Sequence, residues 1–138
     1  MKLTSPRQRQ GAHFEQLACD YLQRHGLQPV AKNWHCPNVG ELDLVMLAPP
    51  MAQNQPPCLV IVEVRQRKSS RFGTGPESVT PAKQRKLLAT AQAFLQAHDE
   101  FAGCEVRFDV VSFDTAHAIE AAYSTPPTWI VAAFIADS

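Results

Sequence analysis

The chain has 138 residues, with 13 basic and 13 acidic side chains and 45% hydrophobic residues. This length suits one domain, and the composition is globular rather than disordered. No uncharged apolar stretch approaches the roughly 20 residues of a membrane span, and the basic N-terminus lacks the apolar segment of a secretory signal. We therefore expect a cytoplasmic protein that is not bound to a membrane.

Charge is unevenly distributed along the chain. Between residues 65 and 86, seven basic side chains stand against one acidic side chain, a net charge of +6. From residue 99 to the C-terminus, seven acidic side chains stand against one basic side chain, a net charge of −6. A positive segment in a neutral protein can attract a polyanion locally, although a run of charge is also typical of a solvated surface.

The cysteines and histidines do not follow any metal-binding spacing. No Cys-x-x-Cys pair occurs, and the five histidines are scattered, so a zinc site is not predicted. In a reducing compartment we expect the four cysteines to be free, buried thiols; they are Cys19, Cys36, Cys58 and Cys104.

The first half of the chain predicts one helix and three strands. We expect residues 1–10 to form a basic, disordered segment ahead of a domain over 11–138. Apolar residues at helical spacing from Phe14 to Leu22 predict an amphipathic helix that ends at Gly26. Strand patterns follow, with a Pro-rich loop at 48–57 before the last of them; they cover 27–34, 40–47 and 58–65.

The second half predicts one more helix and two more strands. A glycine-containing loop over 68–75 leads to Thr80 and Pro81, a favourable helix start because proline suits the first helical position. Strand patterns follow at 105–113 and 128–134. The order α-β-β-β-α-β-β predicts a single α/β domain with a mixed sheet flanked by helices.

Two carboxylates are predicted to face each other across a hairpin. Suppose that the strands 40–47 and 58–65 pair antiparallel about a loop centred near residue 52.5. The numbers of two opposed residues then sum to about 105. Asp43 and Glu63 sum to 106, so they should lie nearly opposite each other. Like-charged carboxylates resist ionisation when buried, and Mg²⁺ is commonly held by one or two carboxylates with waters and phosphate oxygens. Asp43 and Glu63 are therefore candidate metal ligands. The alternative is that both lie at a solvated strand end or pair with Arg65 and Arg67.

Other charged residues are candidates for the same site. Glu15 lies at the rim of the apolar stripe of the first helix, where it either reaches the site or is simply exposed. Lys83, Arg85 and Lys86 make the start of the second helix basic, which favours phosphate there. Arg107 and Asp109 share one face of a strand, and we expect them to pair with their neighbours.

Several of these segments together resemble the YraN family of small bacterial proteins, which are predicted endonucleases. The resemblance covers residues from about 11 to 134 and rests on the order and spacing of its motifs. These are Gly40-Glu-Leu-Asp-Leu-Val45, Ile61-Val-Glu-Val-Arg65-Gln-Arg67, Phe72-Gly73, Lys83, Glu15, Arg107-Phe-Asp-Val-Val111 and Ala133-Phe134. The family is similar to archaeal Holliday junction resolvases and to the PD-(D/E)xK nucleases, so the resemblance implies a restriction-endonuclease-like fold.

The resemblance also implies roles for individual residues. Asp43 and Glu63 would bind Mg²⁺ or Mn²⁺, and Glu15 would assist. Position 65 holds lysine in the family motif but arginine here. Arginine stays protonated and cannot act as a general base, although Arg65 could clamp the scissile phosphate. Lysine from position 68 or 83 is an alternative source of an amine.

Three functions are compatible with these residues and with the resemblance. The first is a Mg²⁺-dependent endodeoxyribonuclease acting on DNA, branched DNA included, with catalytic residues Glu15, Asp43, Glu63 and Arg65. A basic surface would then follow the nucleic-acid backbone; it comprises Arg67, Lys68, Arg71, Lys83, Arg85 and Lys86. The second is a nucleic-acid-binding module of the same fold that does not cleave, and the third is a structural or interaction domain. A homodimer is compatible with each of the first two, since resolvase-like proteins often work as dimers.

Overall fold

Two helices and five strands make up the computed structural model, which describes residues 6–67, 79–114 and 126–134. In chain order they are α1 (Pro6–Arg24), β1 (Gln28–Cys36), β2 (Gly40–Ala48), β3 (Cys58–Arg67), α2 (Pro81–Ala97), β4 (Glu105–Asp114) and β5 (Thr128–Phe134). A short 3-10 turn, Asp99–Phe101, follows α2. The predicted element order is confirmed, and the chain is a single α/β domain.

The end of α1 is set by glycine, as the sequence predicts. Gly26 has a φ of +93°, a conformation that glycine adopts without steric cost. Its amide donates to the Gln23 carbonyl, and the Leu27 amide donates to the Leu22 carbonyl, which is the hydrogen-bond pattern of a Schellman cap. The helix begins at Pro6, so it includes part of the segment 1–10 that we predicted to be disordered.

The five strands form one mixed sheet in the order β1-β2-β3-β4-β5. β1, β2 and β3 pair antiparallel in succession, and β5 pairs antiparallel with β4. β3 and β4 pair parallel, which requires a crossover, and α2 lies in that crossover. The crossover brings the start of α2 close to the end of β3 and its carboxylate.

A hydrophobic core lies on each face of the sheet. The core beneath α1 contains Phe14 and Leu22 with strand residues such as Val62. The core beneath α2 contains Phe94 and Leu87 together with strand residues of the opposite face. The sheet is therefore covered on both sides, one helix to each, and it buries the apolar runs of β2, β3 and β4.

Helix α2 begins where the Thr-Pro pair predicts. The Thr80 hydroxyl accepts a hydrogen bond from the Lys83 amide at 3.2 Å, as an N-cap side chain does. The side-chain amide of Gln84 donates to the Val79 carbonyl at 2.7 Å. These two bonds fix the first turn of α2, and with it the backbone of Lys83.

The remaining sequence predictions concern the cysteines, the loop over 68–75 and membrane spans. The four cysteines are free, but only Cys19 is buried, and the other three are partly exposed because they lie towards strand ends. The loop predicted over 68–75 lies outside the described residues. Across the described ranges, no helix is long and apolar enough to cross a membrane.

Candidate functional site

Asp43 lies where the alternation of β2 is interrupted. Leu42 packs in the core beneath α2, whereas Leu44 packs in the core beneath α1, although residues two apart in a regular strand share a face. On β1, the residue opposite this break is Asn33, whose φ is +52°. The break places Asp43 between the two helical layers, within reach of side chains from both.

The Asp43 and Glu63 carboxylates meet, as the hairpin arithmetic predicts. Leu44 pairs with Val62, and Asp43 and Glu63 are the next residues along each strand. One Asp43 carboxylate oxygen accepts a hydrogen bond from the Val64 amide at 2.9 Å, which holds this carboxylate beside the strand that carries Glu63. Burial, together with the charge of Asp43, raises the pKa of Glu63 to about 7.

Glu15 joins the same cluster from α1. Its carboxyl group is near enough to Asp43 and to the Asn33 side chain for both to shift its pKa. Burial and the negative charges of Asp43 and Glu41 raise the pKa of Glu15 to about 7, and the Asn33 side chain opposes that shift. Asp43 is thus the centre of a carboxylate cluster whose other members are Glu15 and Glu63.

Two cations approach Glu63 from different elements. Lys83 Nζ lies 3.6 Å from Glu63 Oε2, and Arg65 Nε lies 3.9 Å from the same oxygen. The Glu63 side chain is only 13% exposed, so its charge is poorly solvated and the cations compensate part of it. The lysine that comes closest to Glu63 in the described ranges is therefore on α2, not at the motif position on β3.

A cleft of about 460 Å³ opens beside Asp43. Lys83 and Lys86 form one wall, since residues three apart lie on the same side of a helix. Gly40 forms part of the opposite wall, and a Cβ there would lie 2.5 Å from the Thr90 hydroxyl oxygen. Only glycine permits this approach of β2 to α2, which keeps both lysines close to the carboxylates.

The predicted basic surface is only partly assembled around this cleft. Lys83 and Lys86 line it, whereas Arg85 does not, because it projects from another side of α2. Arg67 lies at the end of β3 beyond Arg65. The remaining two predicted contacts, Lys68 and Arg71, lie outside the described residues.

Arg107 and Asp109 form a separate structural network. Asp109 is buried and accepts two hydrogen bonds from the Arg107 guanidinium, each of 2.9 Å. The Trp129 indole N–H and the Ala132 amide donate to the same carboxylate, also at 2.9 Å. The predicted pairing is confirmed, and it joins β4 to β5.

The free energy of unfolding of the metal-free chain is expected to depend on pH through Glu15 and Glu63. Both pKa values rise from 4.5 to about 7, so between these pH values the folded chain binds protons that the unfolded chain releases. Stability should therefore fall as the pH rises from about 5 to about 8, with at most about 3 kcal/mol from Glu63, since one pKa unit corresponds to about 1.4 kcal/mol. Urea unfolding of chelator-treated protein at several pH values measures this dependence.

The control for that measurement is Glu63→Gln, which removes the titrating carboxyl group. Its stability should depend less on pH than that of the parent, while Glu105→Gln, on the exposed start of β4, should follow the parent. Parallel curves for the parent and Glu63→Gln would contradict the predicted role of Glu63.

Fold and site together define a small single-domain α/β protein with a carboxylate cluster on its mixed sheet and lysines from a crossover helix beside it. The chain belongs to the uncharacterised protein family UPF0102, whose family model matches residues 14–113. A UPF0102 protein of Psychrobacter arcticus is 44% identical to it over the whole of this chain and 87% of the relative. Another from Psychrobacter cryohalolentis is 52% identical over 83% of this chain and 65% of the relative. One from Cupriavidus pinatubonensis is 47% identical over 78% of each chain.

Sequence reasoning missed two residues of the cluster's surroundings. Asn33 lies within a predicted strand, and the strand pattern assigns it no role. Glu41 lies within a motif that gives no sign that its charge is close to Glu15. Asparagine inside a β-branched or aromatic strand pattern is a signal for an irregular backbone, since it tolerates positive φ better than most residues. Glu41 carries no comparable local signal.

Proposed function

We propose that this protein is a metal-dependent endonuclease-like protein of the YraN type, with a PD-(D/E)xK nuclease fold, acting on DNA phosphodiesters. The observation that carries the proposal is the position of Asp43 opposite Glu63 on the neighbouring strand and near Glu15 of α1, next to a cleft with lysines on one wall. A carboxylate cluster attracts a cation and a lysine-lined cleft attracts a phosphate. Their juxtaposition is what hydrolysis of a phosphodiester requires.

The donor set of the cluster suits a hard divalent cation. Its oxygens are carboxylate oxygens, the ligands that Mg²⁺ and Mn²⁺ prefer. In the described ranges no group of three or more His, Cys, Asp or Glu side chains is placed to hold a metal ion, but Mg²⁺ usually takes only one or two carboxylates and completes its shell with water and phosphate. Asp43 and Glu63 would hold the cation, and it would relieve the repulsion that raises the pKa of Glu63.

Each residue around the cluster has a distinct role in this proposal. When bound, the metal would neutralise phosphate charge and make water more acidic. Arg65 binds the scissile phosphate, since its fork of N–H groups matches phosphate oxygens. Lys83, whose Nζ is 3.6 Å from Glu63 Oε2, donates a hydrogen bond to the attacking water or to the phosphate. Lys86 binds the next phosphate along the cleft.

Arg65→Lys tests the assignment of Arg65 as a phosphate clamp. The substitution replaces a bidentate guanidinium with a point charge, so we expect single-turnover cleavage to slow by about tenfold, which corresponds to about 1.4 kcal/mol. A lysine is already close to Glu63 from α2, and a second one should not add an essential group. A faster Arg65→Lys variant would contradict the clamp and indicate that a missing amine limits cleavage.

The experiment that tests the proposed function is a cleavage assay of the purified chain on four-way, nicked and linear DNA, with RNA as a comparison. It uses Mg²⁺ or Mn²⁺, and chelated samples serve as controls. Metal-dependent cuts in DNA support the proposal. Failure to cut any of these substrates with either metal would overturn it.

A second candidate function rests on the arginine at position 65. Without lysine at the motif position, the chain could bind nucleic acid without cleaving it. Salt-sensitive DNA binding together with no cleavage by either the parent or Arg65→Lys would favour this binding module over the nuclease.

A further inference from the structure

Gly40, the first residue of β2, is a glycine that its own backbone does not require. Among the glycines of the described ranges, Gly26 has a positive φ and Gly40 does not, so φ imposes no need for glycine at this position. Glycine weakens a strand, because it loses more conformational freedom on folding than other residues and packs no side chain. The reason for glycine here must therefore lie in what surrounds it.

The space beside Gly40 is filled by two residues of α2. A Cβ at this position would lie 2.5 Å from Thr90 Oγ1 and 3.3 Å from both Cγ and Cε of Lys86. Thr90 is fully buried, and its hydroxyl donates to the Lys86 carbonyl at 2.7 Å. The aliphatic stem of Lys86 therefore lies across the surface that Gly40 leaves bare, beside a threonine that is itself held in place.

The same lysine lines the cleft of about 460 Å³ beside Asp43, together with Lys83. A lysine side chain is flexible, and fixing it against a bound phosphate costs conformational entropy. A stem that already packs against β2 has lost part of this freedom before any ligand arrives. The ammonium group of Lys86 is thus preorganised at the wall of the cleft.

We propose that Gly40 is a positioning residue, whose missing side chain leaves room for the Lys86 stem and thereby makes Lys86 a second phosphate site beside Lys83. Cβ atoms three residues apart on a helix are about 5–6 Å from each other, so the two lysines can bind successive phosphates of one strand. The ligand class is accordingly a polynucleotide held by two or more phosphates. The inference rests on the proposed function in one respect, that the cleft receives nucleic-acid phosphates.

The first measurement is the salt dependence of DNA binding. Fluorescence anisotropy of labelled single-stranded and duplex oligonucleotides gives Kd over a range of NaCl concentrations, in chelator and in CaCl₂. For the parent, the slope of log Kd against log salt should correspond to two or more phosphates. Lys86→Met keeps much of the stem but removes the charge, so the slope should fall by about 0.7–0.9, the contribution of one phosphate contact.

The second measurement adds the missing Cβ without the collision with the hydroxyl. Gly40→Ala is made on the Thr90→Ala chain, where the nearest atoms that the new Cβ meets are those of Lys86. Relative to Thr90→Ala alone, Kd should rise about threefold with a smaller salt slope, while the thermal unfolding midpoint changes little. On a chain that also carries Lys86→Met, Gly40→Ala should change Kd by less than about 1.5-fold, since residues that act as a unit are not additive.

Gly103→Ala is the matched control, because a Cβ at Gly103 would meet nothing within 4 Å. It should bind DNA as the parent does. A loss of affinity from Gly40→Ala that persists in the presence of Lys86→Met would overturn the proposal, since distortion of the sheet would then explain it. An unchanged affinity in Lys86→Met or in Gly40→Ala would also overturn it, as would a parent slope of a single phosphate contact.

The failure of this inference and the failure of the nuclease proposal give different results. A parent that binds DNA but cleaves none contradicts the nuclease, while the Kd values of the variants still decide the role of Gly40. A parent that cleaves DNA, with a Kd that Gly40→Ala does not change, contradicts the positioning role alone. A parent that binds no DNA in chelator or in CaCl₂ overturns the positioning role together with the proposed function.

Discussion

Asp43→Asn should abolish both cleavage and stabilisation by metal without destabilising the metal-free fold. Asp43 lies opposite Glu63 and near Glu15, so its loss removes the central ligand of the proposed cation site. We expect cleavage to fall by roughly 10³-fold or more, since a catalytic cation supplies several kcal/mol of transition-state stabilisation. At a hundredfold excess of metal over its dissociation constant, the parent gains about 2.7 kcal/mol from mass action, and the variant should gain almost none.

Without metal, the same substitution is expected to have the opposite effect: it should not lower the stability of the fold. Asparagine keeps an oxygen that can accept from the Val64 amide, and it removes the charge that raises the pKa of Glu15 and Glu63. In chelator at neutral pH, Asp43→Asn should therefore be at least as stable as the parent. Thermal unfolding with and without MnCl₂ measures both effects.

Asp20→Asn is the matched control for this substitution. It makes the same chemical change on α1, where Asp20 accepts a hydrogen bond from Gln16 on the exposed side of the helix. Cleavage and the metal-dependent shift should match those of the parent. A metal-dependent shift that persists in Asp43→Asn would contradict the proposed site.

Asp109→Ala is expected to have the largest effect on stability. It leaves the Arg107 guanidinium, the Trp129 indole and the Ala132 amide without their shared acceptor. Breaking a buried ion pair by removing one partner typically costs about 3–5 kcal/mol, while small domains are stable by only about 5–15 kcal/mol. Much of the stability should be lost, and urea unfolding followed by tryptophan fluorescence, which reports on Trp129, measures it.

Two further variants show whether the loss comes from the network. Asp109→Asn keeps the shape but loses the charge and one acceptor, so its loss should be intermediate. Glu105→Ala removes an exposed carboxylate from the same strand and should change stability by no more than about 0.5 kcal/mol. A loss below about 1 kcal/mol in Asp109→Ala would show that the network contributes little.

Local patterns were sufficient to predict the elements of the fold. The stripe from Phe14 to Leu22, the stop at Gly26 and the Thr80-Pro81 start each depend on interactions within a few residues, and all three are confirmed. The mixed sheet followed from the element order. Boundaries differ by a few residues, most of all at α1, which begins at Pro6, well before the apolar stripe that starts at Phe14.

The juxtaposition of Asp43 and Glu63 was also predictable from the sequence. Antiparallel pairing makes opposed residue numbers sum to a constant, so the centre of the loop between two strands determines which residues meet. Leu44 and Val62 sum to 106, one more than the 105 that the loop centre predicts, so Asp43 and Glu63 lie opposite each other. A contact within one hairpin is local in this sense, although its residues are 20 apart.

Only the tertiary structure decided which side chains surround those carboxylates. Lys83 reaches Glu63 because a parallel crossover returns α2 over the end of β3, and Glu15 reaches Asp43 because α1 packs on the other face. The positive φ of Asn33 and the change of face between Leu42 and Leu44 likewise arise where strands and both helical layers meet. Sequence periodicity records which face of an element is apolar. The distances between groups on different elements depend on how those faces pack together, and no local pattern contains that information.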